Sequence, residues 1–160
     1  MTTTSSSADF DVIDNVVPLA PGHPLHALRR ERPKIVASTQ GSYEAMFSPA
    51  IQGISATERL LVALHACRLS QAPKLAAHYQ GRLLAQGADA PLVEAVARGE
   101  AGALDDERLR TMLDFTAKLI ARPIEGDRAA VDSLVRVGLS TAAVVGVGQL
   151  IGFLSYQGRL

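Results

Sequence analysis

The chain has 160 residues, 48% of them hydrophobic and only 4% aromatic, with no Trp. Sixteen Lys and Arg balance sixteen Asp and Glu, which argues against a nucleic-acid-binding domain or a polybasic membrane-surface protein, since both carry a basic excess. One cysteine, Cys67, excludes an intramolecular disulfide framework, a four-cysteine zinc site and an internal Cys-x-x-Cys redox pair.

Residues 1–9, MTTTSSSAD, are small and polar and lack the basic and apolar regions of a signal peptide, so a disordered tail is expected there. Length and an Ala/Leu/Val-rich composition predict one all-α domain over 10–160. Residues 10–22 carry an apolar patch (Val12, Ile13, Val16, Val17) ending at Pro18 and Pro21, read as an extended arm or a helical turn. Pro24 opens a short helix to Arg30, and Pro33 opens another that stops before Pro49.

Ser55-Ala56-Thr57-Glu58 has the capping-box form ahead of an apolar run, and Leu60, Leu61, Leu64 and Cys67 follow helical spacing to about Leu69. Pro73 opens the next helix, which stops at Gly87; so short a connection makes the two an antiparallel pair. A short helix starts at Pro91 and closes at Gly99. Asp105, Asp106 and Glu107 are expected in the first turn of the next helix, where the macrodipole favours carboxylates. Leu109, Met112, Leu113, Thr116, Leu119 and Ile120 form its buried stripe, and Pro123 ends it. Residues 127–137 give another amphipathic helix, closed by Gly138, and Ser140 caps the last, which runs to about Tyr156. The architecture is a compact bundle of about six to eight helices.

No charged residue lies between Arg136 and Arg159, a length that would allow a membrane span. Ser140, Thr141, Gln149, Ser155 and Gln157 interrupt it, and the strongly apolar part is only Ala142 to Leu154, so a core or subunit-interface helix is expected. Gly146, Gly148 and Gly152 would let another backbone approach. The same glycines loosely imitate a dinucleotide fingerprint. No βαβ unit surrounds them and only eight residues follow Gly152, so the match is read as accidental.

Residues 55–82, SATERLLVALHACRLSQAPKLAAHYQGR, resemble the core helix pair of the alkylhydroperoxidase D-like / carboxymuconolactone decarboxylase superfamily. There a helix with an acidic residue near its start precedes a second helix, which in the peroxidase branch opens with Cys-x-x-Cys-x-x-x-His. A weaker resemblance runs over roughly residues 24–157. It implies an alkylhydroperoxidase D-like bundle that self-associates. Setting His78 on the family's His puts Gln71 and Lys74 where the two cysteines would stand. A thiol peroxidase needs a low-pKa thiolate and a resolving thiol, so dithiol chemistry is not expected. The decarboxylase branch also lacks the cysteines but has an acidic residue where this chain has Lys74.

The candidate catalytic residues are His78, Glu58 and Lys74. His78 titrates near neutrality and suits acid–base work; its alternative is a satisfied interior histidine. In the antiparallel pair, Glu58 falls about one turn, or about 6 Å, beyond the level of His78. It would orient the imidazole there, or else only complete the capping box. Lys74 lies one turn before His78, as a pocket amine or as a snorkelling surface side chain. His65-x-Cys67 with His78 is a poor zinc set, and Cys67 on an apolar face reads as an inert thiol. The expectation is a cytoplasmic bacterial homo-oligomer, associating through its C-terminal helix, with no cofactor, metal, nucleic acid or membrane partner. Its chemistry would be non-redox, on a small organic acid or lactone. The alternative is a non-catalytic binding or scaffold protein; a peroxidase ranks last.

Overall fold

The computed structural model describes residues 10–160. The expected tail over 1–9 lies outside them. The described residues are helical, with nine α-helices: α1 (Val12–Val16), α2 (Pro24–Arg30), α3 (Pro33–Met46), α4 (Ala56–Leu69), α5 (Pro73–Ala85), α6 (Ala90–Arg98), α7 (Glu107–Ala121), α8 (Arg128–Arg136) and α9 (Thr141–Gln157). The helices expected from the sequence are present, and the apolar patch at 12–16 adds a ninth. Asp11 decides that patch: its carboxylate accepts from the backbone N–H groups of Ile13 and Asp14 and so caps one helical turn.

The chain divides into two compact units, one ending at Ala45 and one spanning Met46–Leu160. In the first, Val12 and Ile13 are buried, and Arg29 meets the carboxylates of both Asp11 and Asp14.

The second unit is built around α4. Every residue of α4 from Arg59 to Cys67 is buried, because α5, α6, α7 and α9 all pack on it. Its core joins Leu60, Leu61 and Leu64 of α4 with Leu83 of α5, Val96 of α6, Met112 and Leu113 of α7, Leu134 of α8 and Leu150 of α9. A core of this size drives folding by removing apolar surface from water. Side-chain caps start most of its helices. Ser55 and Glu58 form the reciprocal capping box of α4, and Asp89, Asp127 and Ser140 cap α6, α8 and α9. At α7 the acidic run divides: Asp106 is the N-cap, accepting from Leu109 N–H, and Glu107 alone of the three lies inside the helix. A carboxylate that binds an N3 amide must sit just outside the first turn, which displaces Asp105 outward.

No helix of the described residues is long and apolar enough to cross a membrane. One side of α9 is buried, through Ala143, Val147, Leu150, Ile151 and Leu154. The other exposes Ala142, Val145, Gly152 and Tyr156, and a Cβ added at Gly148 or Gly152 would meet nothing within 4 Å.

Candidate functional site

α5 carries His78 and supplies its surroundings. Pro73 presets the first turn, where no side chain caps the helix. Tyr79 is fully buried, and its hydroxyl donates to Gln157 Oε1 of α9 at 2.5 Å, which ties the middle of α5 to the end of the chain. His78 is half-buried, with its ring edge-on to that of Tyr79 at 5.1 Å between centroids. Phe47 packs on the Tyr79 ring at 5.3 Å between centroids, and the Arg82 guanidinium lies over the Phe47 ring at 5.0 Å. Arg82 is four residues after His78, on the same helix face.

Arg59 of α4 completes the cluster. It is 3% exposed and spends its donors on main-chain carbonyls, with Nη1 to Met46 O at 3.0 Å and to Ser48 O at 2.8 Å. Burial lowers its pKa, and the charge of Arg82 lowers it further, so the two guanidinium groups feel one another. The same two causes act on His78: burial first, then Arg82, push its pKa below the usual value of 6.5. Both causes favour the neutral imidazole over the imidazolium. An anion beside Arg82 would offset the cation and raise the basicity of His78.

The three residues chosen from the sequence do not converge. Glu58 Oε1 accepts from Arg108 Nε of α7 at 2.7 Å, and Oε2 accepts from Ser55 N–H at 2.8 Å. Arg108 also donates to Gly53 O at 2.6 Å, so Glu58 ties the start of α4 to α7. Its carboxylate is engaged by Arg108 and Ser55 rather than by His78. Arg108 was invisible as a partner because it is 50 residues away in sequence. Lys74 stands exposed in the first turn of α5. Tyr79 lies against His78 and the Arg82 charge acts on it; Phe47 joins the cluster through Tyr79 and Arg82, and Arg59 through Arg82. Sequence gave a usable signal for Arg82, through its spacing of four from His78. It gave another for Arg59, a lone charge heading the apolar run of α4.

Cys67 is 2% exposed, and burial pushes its thiol up to about 12, so at neutral pH it is protonated and not nucleophilic. The positions where the resemblance places cysteines hold Gln71 and Lys74, both exposed. Gln71 has φ of 55° in the turn before α5. Among the described residues no three His, Cys, Asp or Glu side chains converge in a way that could hold a metal ion.

The order and packing of these helices are those of the alkylhydroperoxidase D-like fold. The chain matches no family model and no curated protein. Among solved structures it is similar to an uncharacterized peroxidase-related protein from Silicibacter sp. TM1040, with TM-score 0.70 and 21% identity, covering 78% of this chain and 64% of that one. It thus spans just under two thirds of that protein. It is also similar to a cysteine-to-alanine variant of the debrominase Bmp8 in complex with 2,3,4-tribromopyrrole, with TM-score 0.73, 17% identity, and coverage of 92% of this chain and 76% of that one. A third is the alkylhydroperoxidase AhpD core of an uncharacterized peroxidase-related protein from Ralstonia eutropha JMP134, with TM-score 0.61, 18% identity, and coverage of 81% and 67%.

Proposed function

We propose that the protein catalyses thiol-independent proton transfer on a small organic anion, with His78 as general base and then general acid. The observation that carries this reading is a half-buried imidazole edge-on to Tyr79, with Arg82 one turn away on the same helix face. Arg82 receives the anionic end of the substrate, and Phe47, tilted against Tyr79, gives it an apolar wall. His78 takes a proton from the substrate and returns it to carbon, so no oxidant or thiol is consumed. Arg59 acts as a positioning residue through the Met46 and Ser48 carbonyls, and Glu58 likewise through Arg108. Lys74, one turn from His78, meets the substrate only at the rim. A molecule as small as tribromopyrrole is bound by one protein of this fold, which supports a substrate of similar size.

The test is solvent exchange. Small carboxylic acids and lactones are incubated with the protein in D2O and C–H loss is followed by NMR. The expected result is catalysed exchange that is lost in His78→Gln, with a pH profile whose basic limb begins below 6.5. Exchange retained in His78→Gln would remove the basis of the reading.

Self-association through α9 belongs to the same proposal. Its outer face of Ala142, Val145, Gly152 and Tyr156 suits the close approach of a second copy. Light scattering on the wild type and on Gly152→Arg measures it, with a smaller species expected for the variant.

A further inference from the structure

A cleft of about 540 Å³ lies at the C-terminal end of α4, against the end of α6 and one side of α7, and His78, Arg59 and Arg82 take no part in it. Its ionisable lining is His65, Arg68, Arg110, Asp114 and Lys118. Lys118 is paired with Asp114 at 2.9 Å, so the cleft retains two uncompensated cations. Arg110 gives one side-chain N–H to the carbonyl of Leu104. Arg68 stands outside every ion pair and side-chain hydrogen bond among the described residues, and its Nε is buried without a partner.

The backbone is shaped to admit that guanidinium. Gly99 closes α6 at φ of +87°, and a Cβ there would lie 2.7 Å from Arg68 Nη1. Any other residue would press on the Arg head, and glycine alone takes this φ without strain.

His65, beside Arg68, is 4% exposed. The Leu113 backbone acts on its imidazole in the sense that favours the protonated ring, and its Nδ1 is buried without a partner. With its hydrogen on Nε2, the neutral ring presents Nδ1 as an acceptor. In that tautomer the two buried unpartnered atoms of the cleft are of opposite sense, a cationic donor at Arg68 Nε and a neutral acceptor at His65 Nδ1. Buried polar groups in folded proteins are almost always satisfied, so such a pair points to a ligand. A plain carboxylate would satisfy only Arg68, and a neutral alcohol only His65.

We propose that this cleft binds a small oxyanion bearing its own hydroxyl, with the oxyanion on Arg68 and Arg110 and the O–H donated to His65 Nδ1. A 2-hydroxycarboxylate and hydrogen phosphate share this chemistry. The site is distinct from the His78 cluster and does not depend on the activity proposed there.

The experiment uses the full chain labelled with 15N-histidine, where only four imidazoles have to be assigned. Glycolate, hydrogen phosphate, acetate and glycolamide are titrated at constant ionic strength. Saturable movement of the His65 nitrogens by glycolate, by hydrogen phosphate or by both is expected, and the tighter of the two identifies the source. Acetate, which lacks the hydroxyl, is expected severalfold weaker than glycolate, and glycolamide, which lacks the charge, at least about tenfold weaker. Arg68→Gln should weaken glycolate by about tenfold or more. No saturation by glycolate or hydrogen phosphate overturns the proposal, as does glycolate affinity unchanged in Arg68→Gln. Equal binding of glycolate and glycolamide by the wild type overturns it too, and needs no variant to fold.

Discussion

Acidification should unfold this protein through one histidine, His65. Its folded pKa is lowered from 6.5 to about 4, first by burial, then by the Arg68 charge, with the Leu113 bond opposing. The unfolded chain therefore binds a proton that the folded chain refuses. The stability tied to His65 is fully present above pH 6.5 and is lost as pH falls from there toward 4. At its limit the loss is about 3 kcal/mol, and between pH 7 and pH 5 it is about 2 kcal/mol. The comparison is urea unfolding of the wild type and His65→Gln at both pH values, in buffers free of phosphate and hydroxy acids. Gln is polar and of similar reach but does not titrate. Between the two pH values the wild type should lose about 2 kcal/mol more than the variant, or about 4–8 °C more in Tm for a chain of this size. Arg68→Met should narrow that gap without closing it, because burial is the larger cause. Identical pH dependence in wild type and His65→Gln would refute the reasoning.

Tyr79→Phe removes the donor to Gln157, whose amide is buried with Nε2 already unpartnered. A loss of about 1–3 kcal/mol in urea is expected, and a neutral outcome would mean that the hydroxyl is not committed to α9. Ser55→Ala removes half of the α4 capping box and should cost about 1 kcal/mol by the same measurement. Glu58→Gln should cost no more than about 1 kcal/mol in urea, because the pair with Arg108 is partly exposed. Cys67 should react with a thiol reagent only as fast as the chain opens, so that added urea, not added base, accelerates labelling; prompt native labelling would contradict its burial.

Local physics in the sequence was enough for the helices. Their starts are written in short-range chemistry: Pro at first positions for α2, α3 and α5, a capping box for α4, and Asp or Ser ahead of α6 to α9. Glycine at positive φ after α6 and α8 marks where they end. α1 was ambiguous because five residues carry too little periodicity, and one capping carboxylate tipped it toward helix. The inertness of Cys67 was legible too, since a thiol at core spacing in an apolar helix is buried whatever packs on it.

The side-chain constellations were not legible. His78 could be picked out as a titratable residue on a helix face, but its neighbours come from separate segments. Phe47 reaches Tyr79 and Arg82 from before α4, Arg59 acts on Arg82 from within it, and Gln157 reaches Tyr79 across 78 positions. Glu58 satisfied a local rule with Ser55 and was then drawn to Arg108, whose position depends on how α7 packs against α4. The two orphaned groups at the far end of α4, His65 Nδ1 and Arg68 Nε, exist only because α6 and α7 close over them. Helix boundaries depend on groups within one turn of each other, and the sequence by itself determined those. Which charge meets which, and which polar atom is left without a partner, depends on contacts between distant segments, and only the tertiary structure decided them.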